Sequence, residues 1–127
     1  MSLPNFIDCE ASSLSGKSYP IEIAWNNSNG VVESCLINPL SVLHWTDWSE
    51  SAQMLHGLSR KYLAEHGETP EHVALKMNEA LSGLTVYSDC PEYDGLWIRA
   101  LFSVADLDMS FSIRDANALF NKVNPSY

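Results

Sequence analysis

Hydrophobic and polar positions alternate in short runs over the first forty residues, which is a pattern typical of β-strands. Three such runs cover residues 4–9, 18–28 and 31–38. The segment Asn26-Asn27-Ser28-Asn29-Gly30 supplies turn residues between the second and third runs. The pattern therefore predicts a three-strand antiparallel meander at the start of the chain.

A helical period replaces the alternation over residues 70–82. Its apolar positions follow the i, i+3, i+4, i+7, i+8 spacing of one helix face and are Val73, Ala74, Met77, Ala80 and Leu81. Pro70 at the start and Gly83 just past the end fit the usual asymmetry of helix termini. The irregular aromatic stretch 43–48, which lies between the meander and this helix, predicts no regular element.

The remainder of the chain alternates between strand and helix patterns. Residues 84–88 predict a short apolar strand, and residues 93–102 predict a helix whose inward positions are Leu96, Trp97, Ala100 and Leu101. Residues 112–123 predict one more short helix. A meander followed by strand and helix patterns predicts a mixed α/β sheet flanked by helices, in a single domain over residues 1–127.

Composition sets the class of protein. A chain of 127 residues with 46% hydrophobic content is long enough for one core. It holds no apolar run of about 18 residues and no charged-then-apolar leader, so we expect a cytoplasmic protein that does not enter a membrane. Cys9, Cys35 and Cys90 lack metal-ligand spacing and predict reduced core thiols.

The charge balance limits the partners. A net charge of −9 with only seven Lys and Arg residues argues against a broad basic surface that holds a nucleic-acid duplex. It does not exclude a nuclease, because a site built from carboxylates recruits a phosphate through bound cations, which invert the local field.

Asp8 and Glu10 are the most informative residues of the chain. In a strand, residues two apart share a face, so this spacing places two carboxylates side by side. Two adjacent ionised acids repel each other unless a cation lies between them, and a hard divalent ion such as Mg²⁺ or Mn²⁺ is the expected ligand. The alternative is a chance acid pair on a solvated strand.

Four segments together resemble the DEDD superfamily of 3′-to-5′ exonucleases, of the proofreading-subunit type with a ribonuclease H-like fold. They occur in the order of that family and span residues 4 to about 102. The segments are Asp8-Cys9-Glu10-Ala11-Ser12, Pro20-Ile21-Glu22-Ile23, His56-Gly57-Leu58-Ser59 and Tyr87-Ser88-Asp89-Cys90-Pro91-Glu92-Tyr93-Asp94.

The resemblance implies roles for individual residues. It assigns Asp8, Glu10 and Asp94 to two Mg²⁺ or Mn²⁺ ions that promote phosphodiester hydrolysis, and it places the backbone of Ala11 and Ser12 against the terminal nucleotide. Two alternatives concern Asp94. An acid at a helix start is commonly a cap or a dipole partner, and Asp89 is a rival for the same role.

The third motif of the family has no counterpart here. That motif supplies a His or Tyr and a fourth Asp, but all four histidines precede Asp94, and Tyr127 is the only tyrosine after it. Asp106, Asp108 and Asp115 do not lie in that setting. We therefore expect a C-terminally shortened fold with an apolar patch on its sheet, which a second copy or a partner chain would cover.

Two functions follow as expectations. The first is a metal-dependent 3′-to-5′ exonuclease-like protein acting on single-stranded DNA or RNA 3′ ends. The second is a catalytically silent domain that binds nucleic-acid ends or another protein. Trp45, Trp48 and Trp97 could stack on bases, but no basic residues interleave with Trp45 and Trp48, so buried or interface aromatics are favoured.

Overall fold

A five-stranded mixed sheet forms the centre of the computed structural model, which describes residues 3–119. The strands are β1 (Asn5–Ala11), β2 (Pro20–Asn26), β3 (Val32–Leu36), β4 (Thr85–Ser88) and β5 (Ser112–Asp115). Their order is β3-β2-β1-β4-β5. The first three pair antiparallel, and β4 pairs parallel to both β1 and β5. The predicted meander and the α/β class are confirmed.

Within residues 3–119, four α-helices flank the sheet: α1 (Glu50–His56), α2 (Arg60–His66), α3 (Pro70–Leu81) and α4 (Pro91–Ala105). Ser49, Ser59 and Thr69 cap the first three, and each accepts a hydrogen bond from the backbone N–H three residues later. The periodicity predicted α3 and most of α4. It did not predict α1, which buries no residue and so has no apolar face to reveal it.

The predicted helix over residues 112–123 is wrong at its start, because residues 112–115 form β5. Ile113 pairs with Val86, and the backbone N–H of Ser112 donates to the carbonyl of Leu84. The edge of β4 offers unpaired backbone groups, and satisfying them outweighs a weak helical period. Residues 117–119 are helical, and residues 120–123 lie outside the described residues.

The core lies between one face of the sheet and the helices. It includes Ile7, Ile23, Val73, Met77 and Ile98, all buried, and α4 packs against both α3 and the sheet. The opposite sheet face leaves Phe6 and Val32 exposed. None of the described helices is long and apolar enough to cross a membrane.

The cysteines and tryptophans are distributed as follows. Cys9 and Cys35 are buried free thiols, as predicted, but Cys90 is exposed, because it precedes Pro91 at the surface end of α4. Trp45 is buried and stacks on Tyr19 with a ring separation of 5.1 Å. Trp97 is buried as well, which favours the interpretation of both as core aromatics.

Candidate active site

Asp8 and Glu10 lie on the same face of β1. Burial alternates along the strand, with Ile7 and Cys9 in the core and the two acids on the exposed face. In the register with β2, Asp8 is opposite Ala24 and Glu10 is opposite Glu22. The predicted placement of the two carboxylates on one strand face is confirmed, and a third acid, Glu22, lies directly across from Glu10.

The acids on this face repel one another. Partial burial raises the pKa of Glu10, and the charges of Asp8, Glu22 and Asp94 raise it further, in that order. Within residues 3–119, neither Asp8 nor Glu10 forms an ion pair with a basic side chain. Negative charge therefore accumulates here without a protein cation to offset it.

Asp94 lies in the first turn of α4, behind β1. Its side chain is only 5% exposed, and it accepts a 2.6 Å hydrogen bond from the hydroxyl of Ser88. Burial raises the pKa of Asp94 and the charge of Asp8 adds to this, whereas hydrogen bonds from Ser88 and Cys9 partly offset the rise. Asp94 is thus within electrostatic reach of Asp8, but its carboxylate is bonded on the core side.

Asp89 lies on the other side of the strand from Asp94. It is exposed, and it lines a surface hollow of about 350 Å³ together with Asp8. The other residues that line the hollow include Phe6 on β1, Val32 on β3 and Tyr87 on β4. Of the two acids considered for the third position, Asp89 is therefore the one that shares an open surface with Asp8.

A divalent cation needs several oxygen ligands, and the acids of this face supply part of such a set. Among residues 3–119, no group of three or more His, Cys, Asp or Glu side chains is arranged to hold an ion. The oxygens of Asp8 and Glu10 are nevertheless the ligand type that Mg²⁺ prefers, and Mg²⁺ is commonly held by one or two carboxylates with water and substrate phosphate. The residues fit one such ion, and the two-ion arrangement remains an expectation.

A pocket of about 350 Å³ opens beside Glu10 and is called the Glu10 pocket below. One wall comes from the end of β1 and the loop after it, and the other comes from α1 and the residue that caps it. Its lining residues are Cys9, Glu10, Ala11, Ser13, Leu14, Ser49, Ser51, Ala52, Leu55, His56 and Trp97. Leu14 and Leu55 are 69% and 91% exposed, so the pocket carries apolar surface that water now covers.

His56 adds a hydrogen-bond donor to the lining of this pocket. Its Nδ1 accepts a 3.0 Å hydrogen bond from the backbone N–H of Leu58, so the ring proton of the neutral form is on Nε2. Nε2 is buried and has no protein partner. Burial lowers the pKa of His56, which favours this neutral form. The sequence resemblance included the His56-Gly57 segment, but it gave no sign that the imidazole lines the same pocket as Glu10.

Ala11 and Ser12 have different surroundings. Ala11 lines the Glu10 pocket, as a substrate-contacting residue would. The side chain of Ser12 is fully buried, where it donates to Asp47 and accepts a hydrogen bond from the backbone N–H of Tyr19. Ser12 thus supports the loop, and its neighbour Ser13 is the serine that reaches the pocket.

The sheet order and flanking helices form a ribonuclease H-like α/β fold, and solved structures of exonuclease I share this fold. A product-bound exonuclease I has a TM-score of 0.73 over 92% of this chain, at 16% identity. Exonuclease I from Methylocaldum szegediense has a TM-score of 0.74 over 94% of the chain, also at 16% identity. E. coli exonuclease I in complex with a dA16 oligonucleotide has a TM-score of 0.74 over 95% of the chain, again at 16% identity.

These similarities concern the fold. The chain covers 30%, 29% and 29% of the length of those three proteins, respectively. No family model matches the sequence, and no curated protein matches it.

Proposed function

We propose that this protein binds the 3′ end of single-stranded DNA or RNA and hydrolyses its terminal phosphodiester in a metal-dependent, 3′-to-5′ exonuclease-like reaction. The observation that carries the proposal is the position of the Glu10 pocket, which is lined by Glu10, and Glu10 shares one face of β1 with Asp8. A nucleotide held there would have its phosphate close to these acids, which would bind a divalent cation.

The pocket has the features that a terminal nucleotide requires. Leu14 and Leu55 present exposed apolar surface on facing walls, against which a base can pack. The Nε2–H of His56 is a buried donor without a partner, and a nucleotide oxygen or ring nitrogen would satisfy it. Because neutral His56 carries no charge, it can donate this hydrogen bond without also attracting anions from the solvent.

Asp8 and Glu10 would hold the ion, with either Asp94 or Asp89 as a further ligand. When bound, a divalent cation lowers the pKa of coordinated water and offsets charge on the phosphodiester oxygens. The residues themselves orient the scissile phosphate through their placement at the end of β1. Without a cation, the acids and Glu22 would repel a phosphate, so binding and hydrolysis both depend on the metal.

The solved relatives support the choice of ligand. One is a product-bound exonuclease I, and others are complexes of E. coli exonuclease I with dA16 and dT13 oligonucleotides. Their common fold places the ends of the parallel strands at one edge of the sheet. In this chain β1 ends at Ala11 and the parallel strand β4 ends at Ser88.

One observation favours the second candidate, a silent domain that binds ends without cleaving them. The carboxylate of Asp94 is already bonded by Ser88 on the core side of β1, and the described residues form no three-ligand metal group. A phosphoryl-transfer site with one weakly held ion loses much of its rate, because the charge on both reacting oxygens is no longer offset.

The deciding experiment measures two quantities on one substrate, a 3′-labelled single-stranded oligonucleotide with Mn²⁺. Binding is followed by fluorescence anisotropy and cleavage by release of the labelled nucleotide. The wild type is compared with an Asp8→Asn, Glu10→Gln double variant. Its control is an Asp106→Asn, Glu33→Gln double variant, which removes the same charge at exposed positions away from the pocket.

Each outcome has a distinct meaning. Cleavage by the wild type and the control, and none by the Asp8→Asn, Glu10→Gln variant, is the expected result for the exonuclease. Metal-dependent binding without cleavage would select the silent end-binding domain. Absence of both binding and cleavage in the wild type would overturn both candidates.

A further inference from the structure

The two walls of the Glu10 pocket come from distant parts of the chain. Ser13 and Leu14 follow β1, whereas Ser49, Leu55 and the rest of the facing wall belong to α1 and its cap. No strand pairing joins these segments, since the loop after β1 leaves the sheet at Ala11. The distance between the walls therefore depends on hydrogen bonds outside the sheet, made by both backbone groups and side chains.

The carboxylate of Asp47 supplies the side-chain part of the connection between the two walls. Its Oδ2 accepts hydrogen bonds from the hydroxyls of Ser12 and Ser13, at 2.8 and 2.6 Å. Its Oδ1 accepts a 3.0 Å hydrogen bond from the hydroxyl of Ser15. One ionised acid thus holds three of the four residues of the 12–15 loop, and hydrogen bonds to a charged acceptor are the stronger kind.

Asp47 is itself joined to the opposite wall. It precedes by two residues Ser49, whose side chain caps α1 and whose backbone N–H donates a 3.0 Å hydrogen bond to the carbonyl of Ser12. Burial opposes ionisation of Asp47, but hydrogen bonds from Ser13, Ser12 and Ser15 and the charge of Lys17 bring its pKa below the ordinary value. Above that pKa, the carboxylate can only accept hydrogen bonds, which matches the three hydroxyl donors.

Asp47 does not line the Glu10 pocket, although Ser13 and Ser49 on either side of the connection do. We propose that Asp47 is a positioning residue that fixes the 12–15 loop against the start of α1 and so sets the width of the nucleotide pocket. The role in nucleotide binding rests on the proposed function. The role in ordering the loop depends only on the geometry.

The sign of the binding change separates this role from simple electrostatics. Removing a negative charge near a polyanionic ligand strengthens binding if charge alone matters. Asp47→Asn keeps the size of the side chain but replaces one acceptor oxygen with a donor NH₂ group, so the Ser12, Ser13 and Ser15 bonds cannot all persist. The inference therefore predicts weaker binding despite the more favourable charge.

The first measurement is the dissociation constant of a 3′-labelled single-stranded oligonucleotide with Mn²⁺. We expect Asp47→Asn to raise it about tenfold, with the rate at saturating oligonucleotide unchanged. We expect Ser15→Ala to have a smaller effect, and the Asp47→Asn, Ser15→Ala double variant to bind no more weakly than Asp47→Asn alone, since both changes break one network. Asp106→Asn, an equal loss of charge at the far end of α4, should bind as the wild type does.

The second measurement is amide hydrogen exchange, which needs no ligand. The amides of Ser15, Lys17 and Ser49 are bonded within this connection, and their exchange should accelerate in Asp47→Asn while the amides of β2 keep their protection. Unchanged exchange in a folded Asp47→Asn would overturn the inference. So would unchanged affinity when the wild type binds, and that result would leave the proposed function intact. Failure of the wild type to bind, with faster loop exchange in the variant, would overturn the proposed function alone.

Discussion

The hydroxyl of Ser88, at the end of β4, donates a 2.6 Å hydrogen bond to Oδ2 of Asp94, in the first turn of α4, and both side chains are buried. The oxygen of Ser88 also accepts a hydrogen bond from the backbone N–H of Cys90. The strand, the turn and the helix start are thus fixed to one another around one carboxylate. This arrangement explains how a charged group is tolerated in the core.

Ser88→Ala should lower the free energy of unfolding by about 1–3 kcal/mol, because it leaves a buried carboxylate without its short hydrogen bond. Equilibrium urea unfolding measures the change. Ser103→Ala, at an exposed position of α4, is the matched control and should stay within about 0.5 kcal/mol of the wild type. An equal unfolding midpoint for Ser88→Ala and the wild type would contradict the structural role of this bond.

The stability contributed by Asp94 should depend on pH with a definite sign. Burial raises the pKa of Asp94 above its ordinary value of 3.8, so the folded state binds this proton more tightly than the unfolded chain does. The contribution is full below about pH 4 and is lost as the pH rises through the folded pKa. Asp94→Asn cannot titrate, and between pH 4 and pH 7 its stability should therefore gain on the wild type by about 1.4 kcal/mol for each unit of pKa shift. Urea unfolding at several pH values tests this, and a constant difference would show a solvated carboxylate.

Glu22 should destabilise the pairing of β1 with β2. Its position opposite Glu10 places like charges across an antiparallel pair, which is unfavourable. Glu22→Gln should therefore raise the free energy of unfolding by about 0.5 kcal/mol in metal-free buffer.

Added Mn²⁺ should raise the melting temperature of the wild type and leave that of Asp8→Asn, Glu10→Gln unchanged, as measured by calorimetry. If Mn²⁺ raised the melting temperature of both proteins equally, Asp8 and Glu10 would not be metal ligands.

Gly67 is predicted to tolerate no side chain. A Cβ atom there would lie 2.5 Å from both the backbone nitrogen of Asn38 and the carbonyl oxygen of Leu63. Both contacts are with backbone, which cannot move aside, so Gly67→Ala should cost on the order of 3 kcal/mol. Gly16→Ala, with nothing within 4 Å of the new Cβ, is the control and should change stability little. Thermal unfolding of the two variants makes the comparison.

His56 should be the neutral tautomer with its proton on Nε2 at pH 7, because Nδ1 accepts from Leu58. Long-range ¹H–¹⁵N NMR spectra of the imidazole identify the tautomer directly. If Nε2–H binds the nucleotide, His56→Ala should weaken oligonucleotide binding about tenfold. His72→Ala, an exposed histidine paired with Glu68, is the control and should bind as the wild type does. A proton on Nδ1 would contradict the assignment.

The sequence predicted the elements whose pattern reflects burial on one face. Alternation in β1 and the apolar face of α3 are both direct consequences of a core on one side, and both are confirmed. The exchange of a predicted helix for β5 shows the limit of such patterns. Ile113 is compatible with a helix or a strand, and the open edge of β4 decides between them through pairing that the local sequence does not contain.

The candidate site was predictable to the same extent. The two-residue spacing of Asp8 and Glu10 predicted a shared face, since a strand enforces it. The core-side bonding of Asp94 was not predictable, because it depends on Ser88 and Cys9 meeting the start of α4. The buried donor of His56 depends likewise on a pocket assembled from β1, its following loop and α1.

The central position of β1 has a consequence for the order in which the molecule folds. On one side β1 pairs with β2 across a short loop, but on the other side it pairs Asn5 with Val86, which lies far along the chain. Closing so long a loop costs entropy before any contact offsets it, so the hairpin forms readily and the parallel pairing forms late. During synthesis, one edge of the strand that carries Asp8 and Glu10 therefore stays unpaired until β4 has been made.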